Sequence, residues 1–192
     1  MATEPAIGRA FARPVGSKTL YNRRKHIDKE ELAAMQQETQ PGDKANEAFG
    51  IEQARRVLGE VFAPWVQDLN LSIEQIDFTP PPGAAGWQPG AILRMPFSER
   101  LCRNGGMVCG QALMAFADTA MVMANLAGNR GYRPMTTVDQ TTHFMRAVTA
   151  SDVLADARVV RLGRTMSFGR VTLTSASDNK PVAMVSSAFA ML

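Results

Sequence analysis

The sequence predicts an α+β fold, a six-stranded antiparallel sheet wrapped around a central buried helix, with an added N-terminal helical segment. Three observations lead there. The run Cys109 to Ala127, CGQALMAFADTAMVMANLA, holds good helix formers and no proline, and is apolar almost all the way round, as a helix covered on all sides must be. Two segments before it and four after it carry the alternation, β-branched residues and turn punctuation of strands. Short turns separate the last four, which predicts that they follow one another as an antiparallel meander.

In chain order, residues 1–48 mix basic and acidic patches with Pro5, Pro14 and Pro41, and read as a leader that is disordered or helical. A short helix is expected from Asp28 to Gln37, with Asp28 as its N-cap and Glu31 three residues on. The main domain is expected over 49–192. It starts with an amphipathic helix over 49–69, in which Ile51, Ala54, Leu58, Val61, Phe62, Trp65 and Leu69 recur at spacings of three and four. Pro64 lies off that stripe and should kink the helix or end its regular part. Leu71 to Phe78 alternates as a half-buried strand, Thr79-Pro80-Pro81-Pro82-Gly83 breaks it, and Ala91 to Phe97 reads as its hairpin partner. After the central helix and a turn at Gly128 to Pro134 come strands at Met135–Arg146, Asp152–Arg161, Thr165–Ser175 and Val182–Leu192. Phe168-Gly169-Arg170 interrupts the third of these as a bulge would.

Composition narrows the function. The chain has 192 residues, 45% of them apolar and 20% charged, with a net charge of +3, enough for one sizeable core. A small basic excess permits an anionic ligand without demanding one. The basic residues come without helix-turn-helix, zinc or RNA-reader spacing, so no nucleic-acid partner is expected. Two cysteines and two histidines are too few for a disulfide framework or a His-rich metal centre. No apolar signal region opens the chain, and the window Gly110–Gly128 carries Gln111, Asp118 and Asn125, so no membrane is expected and the cytoplasm is the expected location.

Asp118 is the residue out of place. It sits mid-helix among Phe116, Ala117, Thr119 and Ala120, where an ionised carboxylate is disfavoured unless paired or facing a cleft. A narrow polar seam would account for it structurally; in a cleft it becomes a base or nucleophile. Gly105, Gly106 and Gly110 at the helix start allow close approach of a ligand to backbone donors, and N–H groups there suit a developing oxyanion. Asp118 lies eight residues beyond Gly110, about 12 Å along the axis, too far for both to serve one carbonyl in a single subunit. Two antiparallel copies of the helix about a dyad would bring them together, which predicts a site shared across a homodimer.

The stretch Asn104-Gly-Gly-Met-Val-Cys-Gly-Gln-Ala-Leu-Met-Ala-Phe-Ala-Asp118-Thr-Ala resembles the helix segment of hotdog-fold acyl-CoA thioesterases of the PaaI type. Thr136-Thr137-Val138-Asp139, His143-Phe144-Met145-Arg146-Ala147 and Gly163-Arg164 resemble the family's strand pattern, and the likeness spans roughly 70–192. It implies a hotdog fold and hydrolysis of an acyl-CoA thioester, with no metal and no cofactor beyond the coenzyme A of the substrate. Asp118 would be the general base or nucleophile, and the Gly110 N–H of the partner subunit would polarise the carbonyl. Thr137 would help place the water, and Asn104 would hold the thioester or orient the site. Cys109, Gln111, Thr136 and Gly163 would lie along the substrate, and Arg164, with Arg146 and Arg161, would meet the phosphates. Twelve Arg against one Lys from residue 49 onward suit forked phosphate contacts, as they suit a soluble surface. The resemblance further implies a homodimer or a dimer of dimers. Two departures stand out: Cys109-Gly110-Gln111 replaces the usual His-Gly-Gly, and Asn104 falls one residue closer to Gly110 than the family spacing.

Two other readings stay open. A non-catalytic acyl-CoA-binding or assembly module would explain the Cys109 departure. A hotdog hydratase or dehydratase would need His143 beside an acid. The methionines, Met114, Met121 and Met123 among them, fit core packing or an acyl tunnel that Trp65 or Trp87 could cap.

Overall fold

The computed structural model describes residues 50–192. The expected helix at Asp28–Gln37 and the basic leader fall outside the described residues. The compact unit runs from Ala48 to Leu192.

The first helix is shorter than its apolar stripe. α1 spans Ile51–Glu60, the chain bends through Val61–Ala63, and α2 restarts at Pro64–Gln67 with Pro64 in its first turn. Proline has no N–H to continue a helix but fits a first turn, so one residue both ends α1 and starts α2. The restart shifts the phase. Val61 and Trp65, placed by spacing on the buried stripe, are exposed; Val66 is buried instead, and Leu69 is buried as expected.

Six strands build the main sheet: β1 Ser72–Asp77, β2 Gly90–Met95, β5 Met135–Phe144, β6 Val153–Leu162, β7 Met166–Ser175 and β8 Pro181–Met191. β3 Cys102–Arg103 and β4 Met107–Val108 form a separate small hairpin. All pairings are antiparallel, in the order β1-β2-β6-β7-β8-β5. The predicted β1–β2 hairpin is present. The predicted four-strand meander holds only for β6, β7 and β8. β5 pairs with β8 at the far edge, and β6 pairs with β2. The segment after β5 explains why. The Val148 carbonyl accepts from the Val108 N–H at 2.9 Å, and Thr149 bridges to Met107, so the chain is drawn under the β3–β4 hairpin instead of turning back on β5.

α3, Gly110–Asn129, is the central helix, with Cys109 as its N-cap in extended conformation and Arg130 closing it in the left-handed conformation. Phe116, Met121, Met123 and Leu126 pack against Leu93, Val153, Val171 and Phe189 of the sheet in one core. Met121 comes so close to β7 that a Cβ on Gly169 would collide with its sulfur. Gly169 thus serves a close approach of helix to sheet, and the expected bulge lies on the neighbouring strand: the register of β6 slips between Val159 and Arg161, opposite Gly169 and Phe168. The methionines divide by position. Met121 and Met123 are core, whereas Met114 is 40% exposed.

Candidate active site

The central helix is not covered all round. Gln111 and Met114 are exposed and Asp118 and Val122 half-buried, at spacings of three, four and four. One stripe of α3 therefore faces outward while the rest meets the sheet. The stripe runs alongside β5, the sheet's open edge, and three contacts fix the alignment. The Thr137 hydroxyl donates to Asp118 Oδ1 at 2.8 Å, the Gln140 side-chain amide donates to the Met114 carbonyl at 3.1 Å, and the Phe144 ring lies where a Cβ on Gly110 would come within 3.1 Å of it. Helix and strand run antiparallel, with Thr137 at Asp118 and Phe144 at the helix start.

Asp118 is thus half-buried and has no ion-pair partner among the described residues. Burial pushes its carboxyl above the ordinary carboxylate range, and the Thr137 hydrogen bond pulls it partly back. A carboxylate of raised pKa with one oxygen held by a hydroxyl is equipped to accept a proton.

At the helix start, Gly110 lines a recess of about 400 Å³ with Arg103, Met107, Leu113, Phe144 and Arg146. The first in-helix donor is Leu113, which bonds the Cys109 carbonyl, so the earlier N–H groups of the turn have no carbonyl inside the helix. Cys109 is half-buried and makes no side-chain cap bond; its N–H donates to the Leu101 carbonyl at 2.8 Å. Asn104 is exposed at the tip of the β3–β4 hairpin, closed by the Gly106 N–H on the Arg103 carbonyl. Gln111 is exposed on the uncovered stripe.

The expected site residues fall into three groups. Asp118 and Thr137, with Thr136 exposed beside them, stand together at mid-helix. Gly110, Cys109, Gln111, Asn104 and Arg146 gather at its N-terminal end. Gly163, Arg164 and Arg161 lie in and beside the β6–β7 turn, at the opposite end near Gly128. Within one subunit Gly110 and Asp118 are not brought to one carbonyl. His143 is exposed, and by alternation along β5 it points away from the face on which Gln140 and Phe144 meet α3. Spacing missed Gln140 and Arg103; nothing local marks them, because the register of β5 against α3 makes the first and the hairpin the second. Among the described residues no group of three or more His, Cys, Asp or Glu is placed to hold a metal ion, and no helix is long and apolar enough to cross a membrane.

Fold and site together define a hotdog domain. Residues 105–182 match the model of the thioesterase superfamily. Among solved structures, the chain is similar to a protein of Silicibacter sp. TM1040 described as a candidate thioesterase, with 27% identity, coverage of 76% of this chain and 94% of that one, and a TM-score of 0.61. It is similar to the PaaI protein of the E. coli phenylacetic acid degradation operon at 18% identity (74% and 95% covered, TM-score 0.60), and to zebrafish thioesterase superfamily member 2 at 22% (74% and 95%, TM-score 0.59). A search of the curated proteins finds no match. The chain has the hotdog fold, and its residues 105–182 match the thioesterase superfamily model.

Proposed function

We propose that the protein hydrolyses an acyl-CoA thioester to the free acid and CoA, at a site shared by two copies of the chain. The observation that carries this is Asp118: a carboxylate without an ion-pair partner among the described residues, on an otherwise uncharged helix, held by Thr137, on the stripe the fold leaves uncovered. Met114 lies midway between Gly110 and Asp118, and Gln140, bonded to it, lies near the middle of the β5 segment from Thr137 to Phe144. A dyad through Met114 and Gln140 would pair the two β5 edges. It would also lay the α3 stripes antiparallel, with Gly110 of one copy by the partner's Asp118.

In that site the Gly110 N–H donates to the carbonyl oxygen as it gains charge, aided by the helix N-terminus. Asp118 takes a proton from water, which attacks the carbonyl carbon, or attacks it directly and is released by water in a second step. Thr137 holds the oxygen of Asp118 that is not reacting. In the first route the CoA thiolate leaves with the proton that Asp118 took from water; in the second it leaves as the mixed anhydride forms, and the water that cleaves the anhydride supplies the proton. Cys109 cannot replace the hydrogen bonds of a histidine, but neither Asp118 nor Gly110 depends on it for its chemistry.

The test is thiol release from benzoyl, phenylacetyl, butyryl, hexanoyl and palmitoyl CoA, comparing wild type with Asp118→Asn. We expect the variant to fold and to lose at least about a hundredfold in turnover. Full activity in the variant removes Asp118 from the mechanism. A wild type that cleaves no thioester, yet is protected by CoA esters against heat, makes the protein an acyl-CoA-binding module.

A further inference from the structure

Beside the uncovered stripe of α3, three side-chain oxygens are buried and bond nothing among the described residues: Gln140 Oε1 and Thr142 Oγ1 on β5, and Ser187 Oγ on β8. Leaving such atoms unpaired is costly. Two of them can serve each other. Gln140 and Ser187 are directly opposite in the β5–β8 pair, with Cβ atoms about 5 Å apart, so turning the serine hydroxyl toward Gln140 Oε1 satisfies both. Thr142 has no such neighbour on its strands. Val185 lies opposite it on β8, and along its own face it stands between Phe144 and Gln140, whose amide is turned to the Met114 carbonyl.

The register of β5 says what Thr142 meets instead. Thr137 and Gln140 are three residues apart and would alternate onto opposite faces of a regular strand. Both meet α3, because the register slips between Thr137 and Asp139. The face of β5 toward α3 therefore reads Thr137, Gln140, Thr142, Phe144. With two β5 edges paired antiparallel about Gln140, the residue beside Thr142 on that face is the partner's Thr137. We propose that the Thr142 hydroxyl of each copy donates to the hydroxyl oxygen of the partner's Thr137, which donates in turn to the partner's Asp118. This rests on the shared site above and adds a positioning residue to it, by which each subunit orders the base of the other. A rotation about χ1 brings the hydroxyl to the seam and leaves the methyl against Val185, where an apolar group belongs. Opposed threonines form a favourable cross-strand pair. A hydroxyl that accepts one hydrogen bond donates the next more strongly, so the chain of hydroxyls favours the ionised carboxylate. Asp118 is the one charged residue of α3, and by alternation Asp139 and His143 lie on the far face of β5. The charged groups that face it across the edge are Arg103 and Arg146, which line the recess of the partner's Gly110.

Mixed assemblies show which copy supplies the hydroxyl. Thr142→Val should keep its mass by sedimentation, lower kcat by about threefold to tenfold, as one neutral hydrogen bond allows, and shift the rise of turnover with pH upward. Thr142→Ser should behave as wild type, and so should Thr141→Val on the opposite face. Thr142→Val is then co-expressed with an excess of tagged Asp118→Asn, and the mixed assemblies are isolated through the tag. There the Asp118 of the Thr142→Val chain faces an intact Thr142, so turnover per Thr142→Val chain should return to the wild-type level. Thr137→Val treated in the same way should stay low, because Thr137 and Asp118 belong to one chain. No recovery of Thr142→Val, or equal recovery of both variants, overturns the proposal. The Asp118 titration, followed by carboxyl NMR, reads the same contact without turnover. It should move upward in Thr142→Val, by less than in Thr137→Val, and no further when Thr142→Val is added to Thr137→Val. In Met114→Glu, which sets two carboxylates at the dyad and separates the copies, Thr142→Val should not move it. If these shifts appear and no thioester is cleaved, the hydrolytic reading fails and the threonine pair stands. If thioesters are cleaved and Asp118 titrates alike in wild type and Thr142→Val, the pair fails and hydrolysis stands.

Discussion

The sheet has two edges, and they are built differently. β1 is six residues long, its register slips between Ile73 and Gln75, and its carboxylates Glu74 and Asp77 are tied to Arg94 and Arg158. α1 packs beside it. A short, kinked, charged edge beside a helix resists the addition of another strand. β5 is ten residues long, mostly Thr and apolar, with Asp139 as its one carboxylate, and is exposed on both faces for most of its length. Val138 is 59% exposed and Phe144 51%. The neighbouring stripe of α3 is uncovered too. One edge is closed to partners and the other is left available, and the site lies on the available one. What looks unfinished in one subunit is therefore the surface on which a second copy would complete it.

Breaking the available edge should have the largest effect. Met114→Glu puts a carboxylate at the proposed dyad, where two copies would bury like charges against each other. We expect the mass by sedimentation to halve and turnover to fall by at least about a hundredfold, because Gly110 and Asp118 would no longer meet. Glu74→Lys, on the closed edge, removes an exposed ion pair with Arg94 and should change neither mass nor turnover. A Met114→Glu protein that stays assembled and active would refute the shared site.

A finer cut separates the donor from the space around it. Gly110→Pro deletes the N–H at a first-turn position that tolerates proline, whereas Gly110→Ala keeps the N–H and adds only a Cβ near Phe144. Both crowd the ring, so the difference between them reports the donor. Proline should lose roughly a hundredfold more turnover than alanine. Equal losses would make Gly110 a matter of packing alone.

The two regions also differ in how far their roles could be read from the residues. α3 was legible to within two residues at either end, because a helix apolar on nearly every side is stable in water only when it is buried. Asp118 stood out for the same reason, a carboxylate in that company being costly unless used. Alternation marked all six strands, yet it reports which face a residue occupies and not which strand lies beside it. β5 was therefore placed next to β6 when hydrogen bonds from the Val148 segment carry the chain away. Spacing extended α1 through Val61 and Trp65, since a periodic stripe does not register that Pro64 restarts the helix in a new phase. Family resemblance put Thr137 at the site to help place the water, but its bond to Asp118 and the Gln140 and Phe144 contacts came from neither source. All three depend on how β5 is aligned against α3, a tertiary quantity that no local pattern encodes.

The smallest effect we expect concerns that alignment at the carboxylate itself. Asp118 is raised by burial and restrained by Thr137, so Thr137→Val, close in shape and without the hydroxyl, should raise it further. A base works only when ionised, so turnover should rise with pH through the Asp118 titration. In Thr137→Val that limb should move to higher pH, with a loss of about tenfold or less on the plateau. Stability should move the opposite way. A carboxyl whose pKa is raised on folding favours the folded state while protonated, and that contribution is lost as pH rises through its folded value. Asp118→Asn, which stays neutral, should therefore match wild type in acid and melt higher than it once wild-type Asp118 has ionised. A Thr137→Val protein whose acid limb coincides with that of wild type would show that the Thr137 hydroxyl positions the site without setting its charge. An Asn variant less stable than wild type at neutral pH would mean that the ionised carboxylate has a partner in the assembled protein, contributed from across the β5 edge.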